Sequence, residues 1–181
     1  AYRRARQWRY ATNKEEAGLL NAPTITKLRV ALVAAPLANP IVAPFGTVTT
    51  RHNILVRVET SDGAWGIGES WGNFPPWGCR DRVDILVNVI RPLLVGQKLD
   101  DPSRLYAMLA DKLRALANQL GAVGPFQQAL AGVDIALWDA AARRAGQPLA
   151  DFIRGGLVFP ATILRSSTAS AKPARSPACG R

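Results

Sequence analysis

The chain has 181 residues, 48% of them apolar, and a formal net charge of +10, a size that suits one domain around one core. No apolar run approaches the roughly 20 residues needed to cross a bilayer. The two cysteines have neither metal nor disulfide spacing, and the basic N-terminus lacks the apolar stretch of a secretory signal. A cytoplasmic protein with no membrane partner is expected.

The charge is unevenly spread. Residues 1–30 carry seven basic and two acidic side chains, and residues 165–181 carry four basic and none acidic. Between them, residues 31–164 hold twelve basic against eleven acidic. The excess therefore sits in the two end segments, which read as solvated tails, and no specific nucleic-acid partner is expected.

Residues 1–22 are polar, basic and aperiodic, a basic extension. Alternation then starts: Leu28, Val30 and Leu32 point one way, Lys27 and Arg29 the other, as in a half-buried strand. Residues 34–50, with three prolines and few charges, are expected to form a long loop. A second strand turns Ile54, Val56 and Val58 inward and Arg57 and Glu59 outward. Asp62–Gly63 is a hairpin signal, and Trp65, Ile67 and Glu69 continue a third strand. Its glycines lie on one side, Trp65 and Ile67 on the other. Residues 70–78 follow as a proline-stiffened aromatic loop.

The period then changes to that of a helix. Val83, Leu86, Val87 and Ile90 form one face, which Pro92 is expected to end. A second helix opens with an Asp cap and Pro102; its stripe is Leu105, Met108, Leu109, Leu113 and Leu116. A third, the longest, buries Phe126, Leu130, Val133 and Leu137 and stops at Arg143, Arg144, Gly146 and Pro148. Residues 158–181 lose all pattern and read as a disordered basic tail. Strands first and helices second predict an α+β fold: a three-stranded antiparallel meander followed by a helical bundle.

Chemistry is harder to find. The glycines at 63, 66 and 68 are in the wrong order for a dinucleotide fingerprint and are not followed directly by a helix. His52 is the only histidine and reads as a strand-start residue. Cys79 has no base within sequence reach. Glu69 reads as a structural carboxylate, Asp134 and Asp139 as capping or ion-pair residues. The expectation is no catalytic residue, no metal ligand and no cofactor held by this chain.

Three segments, ITKLRVALVAAPL, PFGTVTTRHNILVRVETSDGAWGIGES and AGVDIALWDAAARRAGQPLADFIRGG, together resemble the N-terminal capping domain of the mandelate racemase/muconate lactonizing enzyme group of the enolase superfamily. The resemblance spans residues 24–156, and residues 23–157 are assigned to the domain. It implies a cap over a TIM-type barrel whose chemistry is Mg²⁺-assisted proton abstraction next to a carboxylate. It also implies two loops closing over the substrate, here about 37–50 and 70–79, with Val42, Pro44, Phe45, Trp71, Asn73 and Phe74 facing the pocket.

A barrel needs roughly 200 residues or more, and 25 follow Gly156. The last acidic residue is Asp151, and the lysines are isolated. The expectation is therefore a truncated capping domain without its TIM barrel, inactive alone, with a frameshift as one origin of residues 158–181. Its partner would be a separately encoded barrel domain or a homo-oligomer mate. An interaction module and a basic nucleic-acid-binding protein are the alternatives.

Overall fold

A computed structural model describes residues 22–44, 46–72 and 75–154. Phe45, Asn73, Phe74, the basic extension up to residue 21 and everything after Arg154 lie outside the described residues. Three antiparallel strands, β1 (Ile25–Ala43), β2 (Gly46–Thr60) and β3 (Trp65–Ser70), form a sheet in the order β1-β2-β3. Helices follow: α1 from Cys79 to Leu94, α2 (Pro102–Gln119), α3 (Val123–Arg144) and the short α4 (Leu149–Arg154). The α+β meander-and-helices architecture is the expected one, and the described residues contain no barrel.

Of the residues the alternation turns inward, Val30 is half-buried and Leu32 is exposed, where β1 runs along the sheet edge. Leu28, Ile54, Val56 and Val58 are buried, meeting Leu86, Ile90 and Leu94 of α1, Leu105, Leu109 and Leu113 of α2, and Phe126, Leu130, Val133 and Leu137 of α3 in one core. Asp101 caps α2 by accepting from the Ser103 N–H at 2.8 Å, with Pro102 in the first turn. Met108 and Leu116 fall outside the buried row of α2, which runs Leu105, Leu109, Leu113, Ala117. An i, i+4 row sits over a single facing surface, and α2 uses that narrower stripe. The end of α3 is as expected: Gly146, at φ +66°, donates to Arg143 O, and Gln147 donates to Ala142 O. Only a residue tolerant of positive φ closes the helix this way.

Two expectations are corrected. Residues 34–50 are not a loop; β1 and β2 continue through them as a hairpin paired from Ala34–His52 to Ala43–Gly46. The prolines are tolerated because β1 is an edge strand, where a missing N–H costs no ladder bond. Near them the register breaks: from Pro36–Thr50 to Ile41–Val48, five positions of β1 advance against two of β2. His52 accordingly lies within a strand instead of starting one. Pro92, likewise, does not end α1. The helix passes through a wider π stretch, Ile85–Ile90, before its last turn, Arg91–Leu94. Pro92 stands at the start of that turn, where its absent N–H is not required. The π stretch rotates the buried face, so Ile85 and Leu94 are buried alongside Leu86 and Ile90, and Val83 and Val87 are only half-buried.

The tightest packing lies between β3 and α3. A Cβ on Gly66 would fall 2.1 Å from Ala136 O, one on Gly68 2.0 Å from Gly132 O, and one on Gly132 2.7 Å from Ser70 N. Strand glycines therefore face a helix ridge of Gly132, Ala136 and Ala140, and backbone touches backbone. At this contact Asp139 accepts from the free-edge N–H of Ile67 at 2.9 Å and from Arg143 Nε at 2.9 Å. The Trp65 ring is held between two guanidiniums, Arg143 at 3.9 Å and Arg57 at 4.5 Å.

The β2–β3 turn adds a further tie. Thr60 Oγ1 lies 2.6 Å from Asp62 Oδ1, and Arg144 Nε reaches Asp62 Oδ2 at 2.8 Å. The Thr60 hydrogen bond, joined by the Arg144 guanidinium, holds the Asp62 carboxyl below the ordinary carboxylate range.

Two outcomes follow from these contacts. Gly68→Ala destabilises the fold by about 3 kcal/mol, because the clashing atoms are backbone and cannot turn away. Gly124→Ala, in the same helix with open space around it, does not lower stability; urea midpoints of both variants check the contrast. The depressed Asp62 carboxyl adds stability that is present above the ordinary carboxylate range and lost as pH falls through and below it. Asp62→Asn should flatten that acid limb, and an unchanged pH profile would contradict the assignment.

Candidate functional site

Beyond the Ile54–Ser70 rung, β3 ends and the β1–β2 hairpin continues alone. At roughly 3.3 Å per residue, positions 46–53 carry it roughly 25 Å past the core. Val42, paired with Thr47, is 83% exposed near the tip, and Pro44 is exposed in the turn. Trp71 follows β3 and is 55% exposed. Phe45, Asn73 and Phe74, the other expected pocket residues, lie outside the described residues.

Trp71 is not brought to Val42 and Pro44. It meets the base of the overhang, where Arg51, His52, Asn53, Glu69 and Gly72 join it around an open hollow of about 280 Å³. Arg51, His52 and Asn53 were not selected from the sequence as site residues. Their signal was the strand register, since Asn53 is the next rung after the Ile54–Ser70 pair. The Nδ1 of His52 is buried and has no hydrogen-bond partner among the described residues. Glu69, at the end of β3, is exposed. Arg51 and Glu69 are the exposed polar side chains of the hollow.

Both ends of the connection between β3 and α1 are fastened to one residue. Ser70, fully buried, donates its hydroxyl to Gln128 O at 2.8 Å. At the other end, Arg82 donates to Gly78 O at 2.6 Å and to Gln128 Oε1 from Nε and Nη2 at 2.8 and 2.6 Å. Gln128 sits on α3, so the long helix positions this connection as well as the strand before it. Gly72 packs on the same platform: a Cβ there would fall 2.9 Å from Ile54 Cδ1 and 3.2 Å from Cys79 Sγ.

The remaining candidates resolve as structural groups. Cys79 is buried at the start of α1, and burial pushes its thiol up, away from the thiolate a nucleophile needs. Asp139 is the ion-pair residue described above. Asp134 is half-buried; burial raises its carboxyl, opposed by a hydrogen bond with Trp138. Among the described residues, no three of His, Cys, Asp and Glu form a group able to hold a metal ion. No described helix is long and apolar enough to cross a membrane.

Known proteins place this architecture. Residues 25–154 match the family described as mandelate racemase / muconate lactonizing enzyme, N-terminal domain. The chain belongs to that family, and these residues are its N-terminal domain.

Among solved structures, a mandelate racemase/muconate lactonizing enzyme from Bordetella bronchiseptica RB50 is similar at 40% identity with a TM-score of 0.64, over 73% of this chain and 33% of that one. An L-talarate dehydratase from Polaromonas sp. JS666, solved with Mg and L-glucarate, is similar at 27% identity and TM-score 0.62, over 73% of this chain and 35% of that one. Arabinonate dehydratase of Saccharolobus solfataricus is 32% identical over 103 residues, 56% of this chain and 26% of its own length. The matched relatives include racemases, dehydratases and cycloisomerases. The chain spans about a quarter to a third of the length of these relatives.

Gln128→Ala removes the two charge-assisted hydrogen bonds from Arg82, leaves the Ser70 bond to the backbone carbonyl in place, and should cost about 2 kcal/mol. Amide exchange at Trp77 and Gly78, the end that Arg82 holds, should rise well beyond that global loss. Exchange that rises only in proportion to stability would show that Gln128 does not fasten this connection.

Proposed function

We propose that residues 25–154 act as the substrate-capping half of a Mg²⁺-dependent enolase-superfamily enzyme, a dehydratase, racemase or cycloisomerase acting on a carboxylate substrate. The observation that carries this reading is the end of the sheet where the overhanging hairpin and the Gln128-fastened connection converge on one polar hollow. A fixed connection and a projecting hairpin at one end can exclude water and orient a ligand held by a partner surface.

The same reading assigns proton transfer and metal ligation to a barrel domain. The described residues do not fit Mg²⁺, because they gather no set of ligands for it. No step of the chemistry is routed through these residues. Their work is binding, orientation and exclusion of water, with Arg51, His52 and Trp71 as the groups of this chain nearest the ligand.

The chain alone should therefore show no α-proton exchange with aldonic or aldaric acids. Co-expression with the barrel half of the Bordetella bronchiseptica relative should give a complex that exchanges the α-proton with deuterium in the presence of Mg²⁺, followed by NMR. Exchange by the isolated chain, or failure to associate with any family barrel, would overturn the reading.

A further inference from the structure

The two edges of the sheet are treated differently. The edge of β3 is covered by α3, and Asp139 takes the outward N–H of Ile67. The edge of β1 faces an open groove of about 1270 Å³ whose opposite wall is α1, with Val87, Arg91 and Pro92 among its residues.

The ladder fixes which backbone groups of β1 face that groove. Thr60 donates toward β3, to Ala64 O. Alternate residues of an antiparallel strand turn to opposite sides, so Val58, Val56 and Ile54 also turn toward β3, and Glu59, Arg57, Leu55 and Asn53 turn toward β1. On β1 their partners Lys27, Arg29, Ala31 and Val33 point back to β2. Leu28, Val30, Leu32 and Ala34 therefore turn N–H and C=O outward. Among the described residues, only the start of this edge has a partner: Ile25 donates to Gln97 O at 2.8 Å and accepts from Gly96 at 2.9 Å. Val30 is half-buried and Leu32 and Ala34 are exposed, and among the described residues no strand lies beyond them.

Charge states what would fit. The groove wall carries Lys27, Arg29, Arg57 and Arg91 and no acidic residue. Among the described residues, Glu59 is the one carboxylate paired with Lys27, Arg29 and Arg57, at 3.8, 3.0 and 3.1 Å. Arg91 is left out of that cluster, and its Nε is buried with no hydrogen-bond partner among the described residues. A buried guanidinium N–H without an acceptor is costly, and it marks where an incoming carbonyl or carboxylate would bind.

We propose that this groove binds an extended acidic segment of a partner protein, which adds to β1 as a fourth strand. Main-chain bonds to Val30 and Leu32 would supply strand addition, and carboxylates set against Arg29, Arg57 and Arg91 would supply selectivity. This surface is separate from the capping end of the sheet, and the inference stands whether or not the enzymatic reading does.

The test uses the full chain and a fluorescent peptide of about eight residues alternating Glu and Val. It should bind at least about ten-fold more tightly than the matching Lys–Val peptide. Arg29→Gln combined with Arg91→Gln should weaken it by about ten-fold with an unchanged melting temperature. Amide exchange at Val30 and Leu32 should slow on binding. Equal affinity for both peptides, no binding, an unaffected double variant, or protection elsewhere would each overturn the proposal. A dimer in sedimentation that the peptide does not dissociate, but the double variant does, would assign the groove to a second copy of the chain and equally refute it.

Discussion

The approach of β3 to α3 is the constraint on which the remaining geometry rests. With Gly66 and Gly68 facing Gly132, Ala136 and Ala140, strand and helix come closer than any side-chain layer would allow. That closeness lets the short Asp139 side chain reach the Ile67 N–H and the Ser70 hydroxyl reach Gln128 O. It also brings Arg143 over Trp65. Close packing of this kind is intolerant of added volume, so one strand is held against one helix in a single register. The polar contacts depend on that register instead of creating it.

From that register the capping end follows. Gln128 lies four residues before Gly132 on the same helix, so the contact that seats β3 also places the residue that fastens both ends of the next connection. Among the described residues the hairpin overhang has less support, with Val48 its one buried side chain. It pairs only within itself, and most of its side chains are exposed. One wall of the hollow is thus fixed by the core, and the other belongs to a hairpin that extends past it. That pairing suits a surface that must hold part of a ligand firmly and close over the rest.

The fold was legible in the sequence where large apolar residues carry the signal. Ile54, Val56 and Val58 alternate, Phe126, Leu130, Val133 and Leu137 recur at helical spacing, and the stop at Gly146 is unambiguous. Small residues were not legible in the same way. Gly132, Ala136 and Ala140 add little to a hydrophobic pattern, and their meaning depends on the glycines of β3 some 60 or more positions earlier. The hairpin through 34–50 was hidden by its prolines, which mark a loop unless the strand is known to be an edge. The π stretch of α1 moved a buried face that regular periodicity would place elsewhere. Of the residues named through resemblance alone, Trp71 lines the hollow, while Val42 and Pro44 lie toward the hairpin tip. Arg51, His52 and Asn53 join Trp71 only through strand register, and Gln128 acts through its own backbone as well as its side chain, which no residue pattern records.

The asymmetry of the two sheet edges has the same origin. α3 can lie along β3 because both present glycine and alanine there, and Asp139 is then within reach of the outward N–H of Ile67. Facing β1, α1 presents Val87, Arg91 and Pro92, side chains too bulky for a comparable approach. The result is a groove instead of a contact. An unpaired edge is a template for pairing, and β1 carries its prolines only at 36 and 40, beyond Val30–Ala34. Lys27 and Arg29, though cationic, lean on Glu59 with Arg57. A bare edge would accept many strands indiscriminately. An edge lined by cations, with an Arg91 Nε that has no partner among the described residues, would favour a strand that brings carboxylates over one that does not.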